Sequence, residues 1–217
     1  MNINHKSAEI RKIFFSLFST ICVLIILVQV LINLEKQFNV PKDIAISVIV
    51  ILALCLGTTI LLEFKFAVLK WLLWKKSSFR KIVFWGFLGG ALIVGIIILP
   101  YPERYANLCK INQLQEKEAG QILIDVLLIG IVLPLIEELY FRGCLYRIIT
   151  DNFHVLWGVT VSTALFVVGH GFWNPAQAVS VSIASLLLTL TFARANSVLA
   201  SALAHSIYNI VYILTRL

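Results

Sequence analysis

Among the polar and ionisable side chains within the apolar stretches of the second half of the chain, six have types and spacing that could do chemistry. They are Glu137, Glu138, Arg142, His170, His205 and Asn209. Carboxylates and imidazoles exchange protons, and imidazoles and amides donate hydrogen bonds, so this set contains the groups that hydrolysis needs. Because such side chains are costly to bury in lipid, we interpret them as candidates for function.

The two glutamates and the arginine belong to one predicted helix. Glu138 and Arg142 are four residues apart, which places them on one face in the favourable order of acid before base. Glu137 points about 100° away from Glu138, because each residue turns a helix by that angle. Glu138 can therefore pair with the arginine while Glu137 faces a cavity as a candidate general base.

Two more pairs have the same four-residue spacing on other predicted helices. Phe166 lies one turn before His170, and His205 lies one turn before Asn209. His205 and Asn209 can aim donors at one point, as an oxyanion site requires. We interpret Phe166 as a packing residue, since aromatic side chains at helical spacing usually pack.

The composition of the 217-residue chain excludes an ordinary soluble domain. Hydrophobic residues make up 60% and charged residues 13%, against about 45–50% and about 25% in soluble domains. We therefore expect an all-α, polytopic transmembrane bundle, because helices satisfy their own backbone hydrogen bonds in lipid. The net charge of +7 is attributed to loops that orient a membrane protein, and no nucleic-acid partner is expected.

Seven apolar stretches predict about seven spanning helices. Their approximate boundaries are 13–34, 44–62, 82–99, 121–150, 155–172, 178–193 and 197–214. With a hairpin turn near 151–154 and a rise of about 1.5 Å per residue, the glutamates, the histidines and Asn209 are expected at similar depth. The site is thus predicted between the fourth, fifth and seventh helices.

The distribution of charge predicts the organisation and orientation of the chain. Residues 1–120 are expected to supply amino-terminal spans and a basic cytoplasmic loop over 63–81, and residues 121–217 a catalytic core. Both belong to one integral membrane domain. A roughly twofold excess of Lys and Arg on one predicted side places the amino terminus in the cytoplasm. The side of the carboxyl terminus and the oligomeric state stay open.

Three short motifs in the second half resemble a known family. Residues 137–142 match EExxxR, residues 166–170 match FxxxH, and residues 205–209 match HxxxN, in this order on separate predicted helices. The combination resembles the CPBP family of intramembrane proteases, which includes type II CAAX prenyl endopeptidases, Abi proteins and bacteriocin self-immunity proteins. The resemblance covers about 121–214.

This resemblance implies an intramembrane endopeptidase, with a membrane peptide or protein as its substrate. Glu137 would activate water with the help of His170, Glu138 and Arg142 would hold the site, and His205 and Asn209 would stabilise the oxyanion. The short chain resembles the bacterial branch of the family, so a bacterial cell membrane and a role in bacteriocin self-immunity or peptide processing are expected.

Three alternatives remain at this point. Glu137, His170 and His205 offer three ligands for Zn²⁺, although the chain has no HExxH motif and asparagine is a poor zinc ligand, so we favour a mechanism without a cofactor. The protein is alternatively a non-catalytic membrane binding, immunity or regulatory protein. A proton-coupled transporter is less favoured, because no repeat symmetry is apparent.

Overall fold

The computed structural model of the protein describes residue 50 and residues 77–98, 116–170 and 175–215. The regular elements in these ranges are all helical, which agrees with the expected all-α class. In chain order they are α1 (Phe79–Ile97), α2 (Glu116–Leu127), π1 (Leu128–Val132), α3 (Leu133–Glu138), π2 (Leu139–Tyr146), α4 (Arg147–Asn152), α5 (Val155–Gly169), α6 (Pro175–Ala195) and α7 (Val198–Leu214). Apart from residue 50, the first two predicted spans lie outside the described residues.

Three described helices are long and apolar enough to cross a membrane. They are Phe79–Ile97, Ala119–Asn152 and Pro175–Ala195. The second runs from α2 to α4 and includes both π turns. Helices α5 and α7 are apolar but shorter. The third, fourth and sixth predicted spans therefore correspond to helices of sufficient length, and the total of seven spans stays a prediction.

The ends of the helices follow from local sequence. Ser78 precedes α1 in extended conformation, and its side chain accepts a hydrogen bond from the Lys81 N–H at 3.3 Å, as an N-cap serine does. Pro175 is the first residue of α6, where its missing N–H is not needed. Asn196 ends α6 with a φ of 52°, a left-handed conformation that asparagine tolerates.

The chain divides into two compact units, each described here by itself. In the described residues, the first unit contains Ile136–Ser162, which is the carboxyl-terminal part of the long helix and the start of α5. Helix α4 ends at Asn152 and α5 begins at Val155, which confirms the hairpin turn predicted near 151–154. Gly158 allows this close return, because a Cβ atom there would meet Thr150 and the Tyr146 carbonyl.

In the described residues, the second unit contains 77–98, 116–135, 163–170 and 175–215. Within it α7 packs against α1, α6 and π1. Glycines on α1 allow this packing: a Cβ atom on Gly86 would lie 2.6 Å from Leu203, and one on Gly90 would lie 2.9 Å from Ile207. At one end of the unit, the Ser77 hydroxyl donates to the Ala195 carbonyl at 2.6 Å, which caps the last turn of α6.

Candidate functional site

The acidic pair and the arginine lie in the first unit. Glu137 and Glu138 end α3, and Arg142 lies in π2. The Arg142 Nη1 donates to the Glu138 Oε1 at 2.8 Å, and both side chains are almost fully buried, with 1% and 0% of their surfaces exposed. The structure therefore contains the ion pair that the four-residue spacing predicts, in an environment where an isolated charge would be strongly disfavoured.

Glu137 is buried beside this pair, with 7% of its surface exposed. Arg142 interacts electrostatically with Glu137 as well as with Glu138. The guanidinium therefore neutralises charge on both carboxylates, although the sequence suggested that it pairs with Glu138 alone. A carboxylate that acts as the base taking a proton from water must be ionised, and Glu137 is a buried carboxylate beside a cation.

His170 follows the last turn of α5, in the second unit. Its ring Nδ1 lies 2.8 Å from the main-chain carbonyl oxygen of Phe166. Because a carbonyl oxygen only accepts, the Nδ1 atom carries the ring hydrogen and donates it. In the neutral ring the lone pair is then on Nε2, so this nitrogen is the one able to accept a proton or bind a metal.

The aromatic ring of Phe166 lies next to the imidazoles of both histidine motifs. Its centroid is 4.4 Å from that of His170, with planes 36° apart, and 5.8 Å from that of His205, with planes 60° apart. Phe166 is 1% exposed and His205 is 4% exposed. Within the second unit, both histidines therefore contact one aromatic ring, which the sequence suggested as a packing residue.

Asn209 lies one turn after His205 on α7 and makes a main-chain contact. Its Nδ2 donates to the carbonyl oxygen of Ile129, in π1, at 2.9 Å. An amide nitrogen carries two hydrogens, so a second N–H remains beside this bond. The expected role of Asn209 as an oxyanion donor stays a prediction, and the bond to Ile129 is a feature that motif spacing does not reveal.

The six candidate residues are thus divided between the units. Glu137, Glu138 and Arg142 lie in the first, and His170, His205 and Asn209 in the second. Their meeting in one site between the fourth, fifth and seventh predicted helices stays a prediction. So does the alternative zinc site, for which His170 Nε2 is a suitable nitrogen ligand.

The long helix Ala119–Asn152 carries a buried carboxylate–guanidinium pair, and the shorter apolar helix α7 carries the buried His205. Apolar helices with buried ionisable side chains are typical of an integral membrane protein, and such side chains are candidates for function. Residues 119–211 match the family described as type II CAAX prenyl endopeptidase Rce1-like. The match covers less than half of the chain, and it agrees with the resemblance seen in the three motifs. Neither the curated proteins nor the solved structures include a match.

Proposed function

We propose that the protein is an intramembrane endopeptidase in which Glu137 activates a water molecule to hydrolyse a peptide bond. The observation that carries this proposal is the buried Glu137-Glu138/Arg142 group on a membrane-spanning helix whose sequence matches a prenyl endopeptidase family. A structural ion pair alone requires one acid and one base, whereas this helix carries a second buried acid next to the pair.

The proposed mechanism assigns each step to a side chain. The Glu137 carboxylate takes a proton from water, and the resulting hydroxide attacks the carbonyl carbon of the substrate peptide bond. His170 assists by accepting a hydrogen bond from the water at Nε2, the nitrogen left without hydrogen by the bond to Phe166. His205 and the second N–H of Asn209 donate to the tetrahedral oxyanion. The proton on Glu137 then passes to the leaving amine as the C–N bond breaks.

The Glu138–Arg142 ion pair has a supporting part in this mechanism. It holds the backbone turn next to Glu137 and supplies positive charge beside a second carboxylate. Preorganised charge of this kind needs no rearrangement during the reaction. We propose that the substrate reaches these side chains from the bilayer.

We further propose that the substrate is a membrane-associated peptide or protein of a bacterial cell, and that the amino terminus faces the cytoplasm. Roles in bacteriocin self-immunity or peptide processing fit the family resemblance. The exposed large apolar side chains on the described helices, among them Phe84, Leu156 and Trp157, fit lipid contact.

The test compares peptides released by cells that carry the wild-type protein and cells that carry Glu137→Gln, using quantitative mass spectrometry. Glutamine keeps the shape of the side chain but cannot take the proton, so the product peptides should disappear. Asp125→Asn is the matched control, because this carboxylate lies on the same apolar helix and accepts a hydrogen bond from Gln121 at 2.9 Å. Retained immunity or regulation in the Glu137→Gln strain, without any lost peptide, would instead establish the non-catalytic binding role.

A further inference from the structure

The π1 turn determines which backbone N–H can donate to the main-chain carbonyl of Ile129. At its end, the Leu133 N–H donates to the Leu128 carbonyl, five residues earlier, so the backbone is in the π register there. In that register the donor for the Ile129 carbonyl would be the N–H of residue 134. Residue 134 is a proline, which has no N–H. Because residue 134 is proline, the Ile129 carbonyl has no backbone N–H to accept from in the π register.

Asn209 supplies a donor to this carbonyl from another helix. Its Nδ2 lies 2.9 Å from the Ile129 oxygen. The close approach of α7 to π1 depends on the next residue, Gly130, which is buried. A Cβ atom at Gly130 would lie 2.9 Å from Ile210, the neighbour of Asn209. The close packing of Gly130 against Ile210 and the hydrogen bond from Asn209 to Ile129 therefore lie next to each other on π1 and α7.

We infer that Pro134 is a positioning residue, which acts through the Ile129 carbonyl to orient the side-chain amide of Asn209. Because proline has no N–H, residue 134 does not compete for the carbonyl and leaves it to Asn209. The bond to the carbonyl fixes the plane of the amide, and with it the direction of the second N–H. This inference rests on the proposed function, since that second N–H is the proposed oxyanion donor.

Pro134→Ala tests the inference, because alanine restores an N–H that competes for the Ile129 carbonyl. In purified protein reconstituted in lipid vesicles, kcat for a peptide identified by mass spectrometry should fall about tenfold or more. The upper limit is the 10²- to 10³-fold loss caused by removal of one oxyanion donor. KM should change little. The midpoint of thermal unfolding should stay or rise, because proline inside a helix is unfavourable. A variant that loses activity merely through damage to the fold would lose stability as well.

Pro175→Ala is the matched control. This proline occupies the first position of α6, where an added N–H has no carbonyl to compete for. Both kcat and the unfolding midpoint should remain at their wild-type values. A loss of activity equal to that of Pro134→Ala would contradict a specific role for Pro134.

A double-mutant cycle supplies a readout that does not depend on activity. Asn209→Leu should lower the unfolding midpoint by about 2–8 °C, because it leaves the Ile129 carbonyl without its side-chain donor. In the Pro134→Ala background the same change should have a clearly smaller effect, since the new N–H satisfies the carbonyl. Equal effects in the two backgrounds would overturn the inference. If Glu137→Gln still releases peptides, the proposed function is wrong, whatever the outcome of this cycle.

Discussion

The Nδ1 of His170 donates its hydrogen to the carbonyl oxygen of Phe166, one helical turn earlier, across 2.8 Å. The bond sets both the tautomer and the direction of the imidazole, which is what an assisting base requires. The acceptor of this hydrogen bond belongs to the main chain of the preceding turn, so the bond requires no side chain other than His170 itself. The tautomer of this histidine is therefore determined locally, by the last turn of α5.

Replacement of His170 should reduce turnover without a comparable effect on substrate binding. We expect His170→Ala to lower kcat by about 10²- to 10⁴-fold, the range for loss of one acid–base group. Steady-state kinetics in lipid vesicles measures this. His154→Ala is the control, because His154 is exposed in the hairpin turn and its Nδ1 accepts a hydrogen bond from the Leu156 N–H. A comparable loss in both variants would contradict a specific role of His170.

The buried ion pair should be important for stability. Glu138→Gln leaves the buried Arg142 guanidinium without its charged partner at 2.8 Å. We expect the free energy of unfolding to fall by about 3–5 kcal/mol, measured by denaturant titration in micelles. Asp125→Asn removes a carboxylate from a half-buried contact with Gln121 and should cost less than about 1 kcal/mol. Similar losses in the two variants would show that burial of the pair is unimportant.

The glycine face of α1 should tolerate no larger residue at its contact with α7. Gly90→Ala would place a Cβ atom 2.9 Å from the Cβ of Ile207, so we expect a loss of about 1–3 kcal/mol in stability from overpacking. Gly120→Ala provides the comparison, since a Cβ atom there meets no atom of another described segment within 4 Å. That variant should be unchanged or slightly more stable, because alanine favours helix. Thermal unfolding of the Gly90→Ala and Gly120→Ala variants in the same detergent measures this difference in stability.

Phe166 should support both stability and activity. Phe166→Ala removes the ring that contacts His170 and His205, and we expect about 3–5 kcal/mol of destabilisation together with reduced peptide release. Phe84→Ala changes an aromatic residue that is 60% exposed on α1, and both its stability and its activity should be close to those of the wild type. If Phe84→Ala loses as much stability and activity as Phe166→Ala, the contact of the Phe166 ring with the two histidines does not explain the losses.

Removal of metal separates the two proposed chemistries. If Glu137 alone activates water, dialysis against a zinc chelator should leave peptide release unchanged. If Glu137, His170 and His205 hold Zn²⁺, activity should disappear and return when zinc is added back. A chelator analogue that does not bind metal controls for effects on the lipid.

Several parts of the fold could be predicted from the sequence because they depend on local physical rules. The hairpin turn between Asn152 and Val155 and the start of α7 after Ser197 both follow from the bounds of the apolar stretches. The Glu138–Arg142 pair follows from helical periodicity, since residues four apart share a face.

Other features could not be predicted, because they depend on backbone register and on packing between helices. Periodicity describes which side chains share a face, but it does not show where an α-helix changes to the π register at Leu128–Val132. Pro134 was a local signal for such a break. The bond from Asn209 to the Ile129 carbonyl and the place of Phe166 beside both imidazoles appear only when distant segments are packed together.

The helix Ala119–Asn152 has 34 residues. At a rise of about 1.5 Å per residue its length is about 50 Å, whereas the hydrocarbon core of a bilayer is about 30 Å thick. Because the helix is longer than the hydrocarbon core, it has to tilt, extend among the lipid headgroups or locally thicken the bilayer. Acyl-chain length is therefore a physical variable that acts directly on this helix, and short- and long-chain vesicles should hold it at different angles.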